Sequence, residues 1–213
     1  MMRVLIVGAG GQGLVVADIL LRACEQGSDA APMGLVDDDA ALEGMRLLGL
    51  PVLGPCARLS NIAHDAIVVA IGDNHRREDV SLGFEQRGER LVVACHPGAS
   101  IASGVELGVG CMVSAGVVVV PGARVGRGVL LNTRCSVDHH SVVGAFAHLG
   151  PGATVGADVI IGDRTLIGLG ASVMSGRRVG ADTVVGAGAL VARDLPDGVV
   201  AAGVPARVTR ARR

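Results

Sequence analysis

Among the six histidines of this 213-residue chain, two stand side by side in Asp138-His139-His140. An imidazole titrates at about pH 6.5, so at neutral pH it can take the proton that an amine or hydroxyl must lose when it attacks an acyl carbon. A second set of residues, Gly8-Ala9-Gly10-Gly11-Gln12-Gly13, has the GxGxxG spacing, with Asp37 following 24 residues after Gly13. Glycines let a phosphate approach the backbone, and the N-terminus of a following helix attracts its charge. On these features alone the loop suits NAD as well as another nucleotide. The five cysteines, Cys24, Cys56, Cys95, Cys111 and Cys135, are odd in number and lack CxxC spacing. Neither a disulfide framework nor a metal site is expected from them. Arg207, Arg210, Arg212 and Arg213 make a basic end, read either as a disordered, solvated tail or as a partner for phosphate groups.

Two kinds of element must position these residues. Residues 1–97 alternate strand and helix: apolar Arg3–Val7, a helical stretch from Leu14 to Cys24, Met33–Asp37, Ala66–Ile71, a polar helix from about Asn74 to Arg87, and Leu91–Ala94. That order predicts a small Rossmann-like parallel sheet with helices on its faces. From residue 98 to 194 the period is six. Val, Ile or Leu occupies position 101 and every sixth residue up to 191, sixteen in all. Small residues such as Ala123, Cys135 and Ala147 stand two positions earlier, and nine of the following positions are Gly. A six-residue unit gives a short strand and a turn, with the aliphatic pointing inward and Gly expected to relieve the backbone at the bend. Three units per coil build a triangular prism of parallel strands, here a little over five coils from sixteen hexads. Two residues past the inward Val137, His139 falls on a turn and faces outward. Cys135, two before Val137, points inward, away from any nucleophilic role. Residues 195–213 form a C-terminal tail, since Pro196 and Asp197 break the column.

Composition narrows the functions. With 19 Lys+Arg against 20 Asp+Glu there is no basic face for nucleic acid. Trp and Tyr are absent and Phe occurs twice, as a narrow aliphatic prism requires. No apolar run reaches the roughly 18 residues of a membrane span, so a cytoplasmic protein is expected.

The repeat and the segment Gly203-Val204-Pro205-Ala206-Arg207 resemble the hexapeptide acyltransferases, whose solenoid is a left-handed parallel β-helix. A Gly-rich βαβ unit ahead of such a prism is similar to the sialic acid O-acetyltransferase type, including bacterial enzymes that N-acetylate nucleotide-linked 4-amino-4,6-dideoxy sugars. The resemblance implies a homotrimer with active sites between subunits, acetyl-CoA as co-substrate, and a role in surface polysaccharide synthesis. It implies His139 as the base, and His148 near the thioester. It further places the backbone N–H of Ala157 as oxyanion donor, where the family frequently has Gly, and Gly203, Pro205 and Arg207 beside CoA. The family often carries an acidic residue directly after its catalytic His; here His140 stands there and Asp138 precedes, so either of these or a backbone carbonyl could orient His139. For residues 1–97 the resemblance implies a sugar-nucleotide site at Gly8, Gly10, Gly11, Gln12, Gly13, Asp37, Asp38, Gly72 and Asn74, with Gln12 where the family commonly has His. Whether the nucleotide is UDP or GDP stays open. The alternatives are O-acetylation of a sialic acid-type sugar and a non-catalytic, nucleotide-binding trimeric scaffold.

Overall fold

The computed structural model describes residues 1–212; Arg213 of the basic end lies outside them. The chain divides into two compact units, Met1–Pro97 and Gly98 onward.

In the first unit, β1 (Met2–Val7) pairs in parallel with β2 (Ala30–Val36), and the connecting helix α1 (Gly11–Glu25) starts at the glycine cluster itself. A two-strand hairpin follows, β3 (Arg46–Leu47) and β4 (Leu50–Pro51). Next, β5 (Ala66–Val69) lies on the other side of β1, giving the order β2-β1-β5. Val4, Leu5 and Ile6 are fully buried on both faces, as an inner parallel strand requires. Helix α1 buries Gly13, Val16, Ala17, Ile19 and Leu20. Leu5, Val7, Ile67, Val69 and Phe84 form one core cluster, with Phe84 supplied by α2 (Asn74–Gln86). The stretch Leu91–Ala94 does not form the expected fourth strand. Its tie to the sheet is a single bridge, Ile67 to Leu91, and the apolar side chain of Leu91 joins the core without a ladder.

In the second unit sixteen two-residue strands run from Ser100–Ile101 to Leu190–Val191. They stack in register into three parallel faces. Ser136–Val137 belongs to the first face, Val142–Val143 to the second and His148–Leu149 to the third. From Val113 to Val191 the inward aliphatics are at most 4% exposed. The buried hydroxyls of Ser141 and Thr165 are satisfied by the neighbouring coil, whereas Ser114 Oγ has no partner among the described residues. Ser141 Oγ donates to Gly156 O (2.7 Å) and accepts from Val159 N (3.0 Å), so this hydroxyl enters the column without penalty.

The glycines after the inward aliphatic have a different reason from the one expected. They do not lie in the left-handed region; a Cβ on Gly126, for example, would stand 2.8 Å from Ala145 N on the next coil. Their role is close stacking. The bend itself falls two residues later, where Gly122 (φ 80°) and its equivalents are left-handed. Past Val191 the chain stays bound to the prism. Val199–Ala202 continues the third face, and Arg207–Ala211 pairs with it antiparallel. Arg207 and Arg210 of the basic end therefore lie on a strand, not in a disordered tail.

Candidate functional site

In the first unit the candidate site starts where β1 ends. Gly8 turns at φ 107° and its N–H bonds to Val36 O (2.8 Å). Asp37 follows β2 immediately, and both its carboxylate oxygens accept backbone N–H groups, Ala9 at 2.6 Å and Asp39 at 2.9 Å. Asp37 thus ties the glycine loop to the second strand. Asp38 Oδ1 accepts from Cys56 N (2.9 Å). A cavity of about 550 Å³ opens beside these residues, lined by Gly8, Ile71 and Gly83, by the carboxylates Asp37, Asp38 and Asp79, and by Arg76 of α2 and Arg87 at its C-cap.

The four glycines of the loop divide into two pairs. A Cβ on Gly13 would collide with Gly8 O, and one on Gly8 would stand 2.8 Å from Ala70 O. A Cβ on Gly10 or Gly11 would meet nothing within 4 Å. The fold demands the first pair; the second leaves bare backbone at the N-terminus of α1, whose N-cap Gly10 makes no side-chain bond. Backbone N–H groups at a helix N-terminus favour an anion. Gln12 is half-buried on the first turn, and Gly72 is exposed. Asn74 is 5% exposed and its Oδ1 accepts from Arg77 Nη2 (2.8 Å), so that oxygen faces inward.

Arg77 is the residue that sequence reading missed here. It is fully buried, and its Nη1 donates to Ile71 O (2.9 Å) and Gly72 O (3.1 Å). It fixes the loop that edges the cavity. Arg77, Ser81 and Phe84 are buried at helical spacing on α2, the signal that could have found it. Arg76, Gly83 and Arg87, also at helical spacing, reach the cavity and bring two cations to it.

In the second unit His139 lies on the corner between the first and second faces. Asp138, His139 and His140 are all exposed. Asp138 Oδ1 accepts the backbone N–H of His139 (2.7 Å), so this carboxylate oxygen is engaged by the backbone of the turn. The ring nitrogen His139 Nδ1 is 3.0 Å from His140 Nδ1. His140 Nδ1 is in turn 3.9 Å from Asp158 Oδ1, on the same corner one coil further. His139, His140 and Asp158 offer ligand atoms within 4.8 Å of one another.

Ala157 shares that next turn, but its N–H donates to Ser175 Oγ (3.1 Å). The flanking amides are also taken, Gly156 N by Val173 O and Asp158 N by His139 O. The amide expected to bear an oxyanion is thus already paired within the chain. The signal was available: Ala157 and Ser175 are 18 residues apart, one coil.

His148 does not join this cluster. It projects from the third face, half-buried, with Nε2 3.4 Å from Asn132 Nδ2. In a three-sided prism the corner between two faces is opposite the remaining face. One chain therefore presents His139 and His148 on opposite sides. Gly203 (φ 97°) and Pro205 are exposed and lie across the end of the first face, where Leu190 N donates to Gly203 O (3.0 Å) and Ala206 N to Leu190 O (2.7 Å). Arg207 is exposed at the start of the last strand.

Thiol chemistry is absent from this arrangement. Burial pushes the Cys135 thiol up to about 12, and burial together with the Asp38 carboxylate pushes Cys56 to about 12. Neither forms a thiolate near neutrality.

Comparison with known proteins extends these observations. Residues 3–82 match the family model described as the PglD N-terminal domain. Perosamine N-acetyltransferase PerB from Caulobacter crescentus, solved with CoA and GDP-perosamine, is 41% identical over 97% of this chain and 96% of its own, with a TM-score of 0.88. A histidine-to-asparagine mutant of the Caulobacter crescentus enzyme, in complex with the same two molecules, superimposes with a TM-score of 0.89 at 39% identity, over 97% of this chain and 96% of that one. The acetyltransferase domain of PglB from Neisseria gonorrhoeae FA1090, in complex with acetyl coenzyme A, is 32% identical over 97% of this chain and 98% of that one, with a TM-score of 0.89. No curated protein matches significantly. Identity at this level along nearly the whole chain, over the same sheet-and-solenoid architecture, means that the chain belongs to the family of hexapeptide-repeat N-acetyltransferases that act on nucleotide-linked amino sugars.

Proposed function

We propose that this chain transfers the acetyl group of acetyl-CoA to the 4-amino group of a nucleotide-linked amino-deoxy sugar, with His139 as general base. The observation that carries this is the 41% identity along 97% of the chain to a protein solved with CoA and GDP-perosamine. The nucleotide is held by the first unit, its phosphates at the bare backbone of Gly10 and Gly11, with Arg76 and Arg87 as counter-charges. The neutral amine attacks the thioester carbonyl, a C–N bond forms and the C–S bond breaks. His139 takes the proton that nitrogen loses, and the departing CoA thiolate takes it up in turn. No acyl-enzyme forms, in keeping with the inward, unionised Cys135.

The placement of the two histidines supports an active site shared between copies. With His139 and His148 on opposite sides of one prism, both can serve one thioester only if adjacent chains pack corner against face, as in a closed cyclic homotrimer. Both substrates are water-soluble metabolites, and no helix among the described residues is long and apolar enough to cross a membrane; a cytoplasmic location suits them.

The test is thiol release from acetyl-CoA by the purified protein with GDP- and UDP-linked 4-amino-4,6-dideoxy sugars, and with free sialic acid. Turnover with a nucleotide amino sugar is expected, GDP-linked first, with a loss of about 10²-fold or more in His139→Asn. Turnover with the free sugar alone would make the chain an O-acetyltransferase. No turnover with any acceptor would leave it a nucleotide-binding scaffold.

A further inference from the structure

The corner that bears His139 repeats every 18 residues, and its left-handed position is filled by Gly104, Gly122, His140, Asp158 and Gly176. Left-handed φ disfavours any residue with a Cβ. At this corner the residues that accept it are His140 (57°) and Asp158 (55°), one beside His139 and the other a single coil away. The other two corners accept it as well, at Arg134, Phe146, Arg164 and Asp182, so the site is marked by what surrounds His140 rather than by its φ.

The surroundings of His140 do hold it. On the preceding coil a Cβ at Gly122 would stand 2.8 Å from His140 Cδ2, so the ring occupies room that only glycine leaves. On the following coil Asp158 Oδ1 is 3.9 Å from His140 Nδ1. The rings of His139 and His140 meet edge to face at 80°, centroids 5.1 Å apart, with their Nδ1 atoms 3.0 Å apart. At that separation one proton lies between the two nitrogens. If His140 donates it, His139 carries its own proton on Nε2 and cannot act as a base. If His139 donates it, Nε2 has a free lone pair.

We infer that His140 is a positioning residue that accepts the Nδ1–H of His139, leaving Nε2 as the free base. This rests on the acetyltransferase reading above. The proton passes from the attacking nitrogen to His139 Nε2, the pair becomes a monocation beside the Asp158 carboxylate, and the proton returns to the CoA thiolate. The other ionisable group facing the pair is Asp138, whose Oδ1 is held by His139 N. The preceding turn, Val120-Pro121-Gly122, has none.

The experiment measures kcat and both KM values for wild type, His139→Asn, His140→Gly and His140→Asn, with melting temperatures alongside. Gly and Asn both tolerate the left-handed backbone, so folding is kept, and His140→Gly melts at or above wild type. His140→Gly is expected to lower kcat about tenfold with both KM values within about twofold. His140→Asn should recover most of that loss, because its carboxamide oxygen accepts the same Nδ1–H. Wild-type kcat in His140→Gly, or no recovery in His140→Asn, overturns the inference. Absence of transfer in wild type, or its survival in His139→Asn, overturns the acetyltransferase reading instead.

Discussion

The two units use glycine for opposite purposes. In the solenoid, glycine is imposed by the protein's own backbone: Gly126 and Gly150 stand where a Cβ would come within 2.9 Å of the next coil. In the first unit, Gly10 and Gly11 face open space, and nothing in the fold explains them. A glycine the fold needs and a glycine the fold does not need have the same sequence signature. They part only when an added methyl group is placed in three dimensions.

Substitution can break that contrast. Gly126→Ala should have the largest effect on stability, about 1–3 kcal/mol or more, because the methyl group wedges two coils apart; thermal melting would show it. Gly11→Ala should leave melting unchanged or slightly raised, Ala being the better helix former, while KM for the nucleotide sugar rises about tenfold and KM for acetyl-CoA does not. Equal melting losses in the two variants would erase the distinction. Arg77→Met comes next. It leaves the carbonyls of Ile71 and Gly72 without their donor, so melting falls by about 1–3 kcal/mol, and KM for the nucleotide sugar should rise while kcat at saturation is nearly kept.

A smaller effect is expected from pH. Folding raises Cys56 and Cys135 from an ordinary 9.0 to about 12. The folded state therefore binds these protons more tightly than the unfolded chain. Their contribution is complete below pH 9 and is lost as pH climbs toward 12. Melting temperature should fall through that window, and neither thiol should react with a disulfide reagent at pH 8 until the protein unfolds. The smallest effect belongs to the exposed Arg3–Asp65 pair at the edge of the sheet (2.9 Å). The Arg3 guanidinium holds the Asp65 carboxyl below its usual range, so its contribution persists above the ordinary carboxylate pKa and fades only in strong acid. Asp65→Asn should barely change melting at neutral pH.

Much of this molecule was legible because its elements are periodic. The six-residue spacing from Ile101 to Val191 places every inward side chain, and the apolar runs at Val4, Leu35 and Ile67 mark the sheet. The corner carrying His139 could be located for the same reason. What escaped reading depends on atoms brought together through space. Asp37, expected to face a sugar nucleotide, has one carboxylate oxygen on the amide of Ala9 and the other on that of Asp39. Ala157 N is paired with Ser175 one coil away. Leu91–Ala94 has strand composition but only a bridge to the sheet, because residue preference does not supply a partner strand. Arg207–Ala211 becomes a strand because the edge at Val199–Ala202 is open to receive it.

The central claim is that His139 of one chain and His148 of another complete a single site. Two variants, His139→Asn and His148→Ala, should each be nearly inactive alone. Co-expressed and purified together, they should form mixed trimers in which some corner-to-face contacts carry both intact histidines, with about a quarter of wild-type activity for random assembly. If the mixture is no more active than its parents, the two histidines do not meet across subunits and the account is wrong.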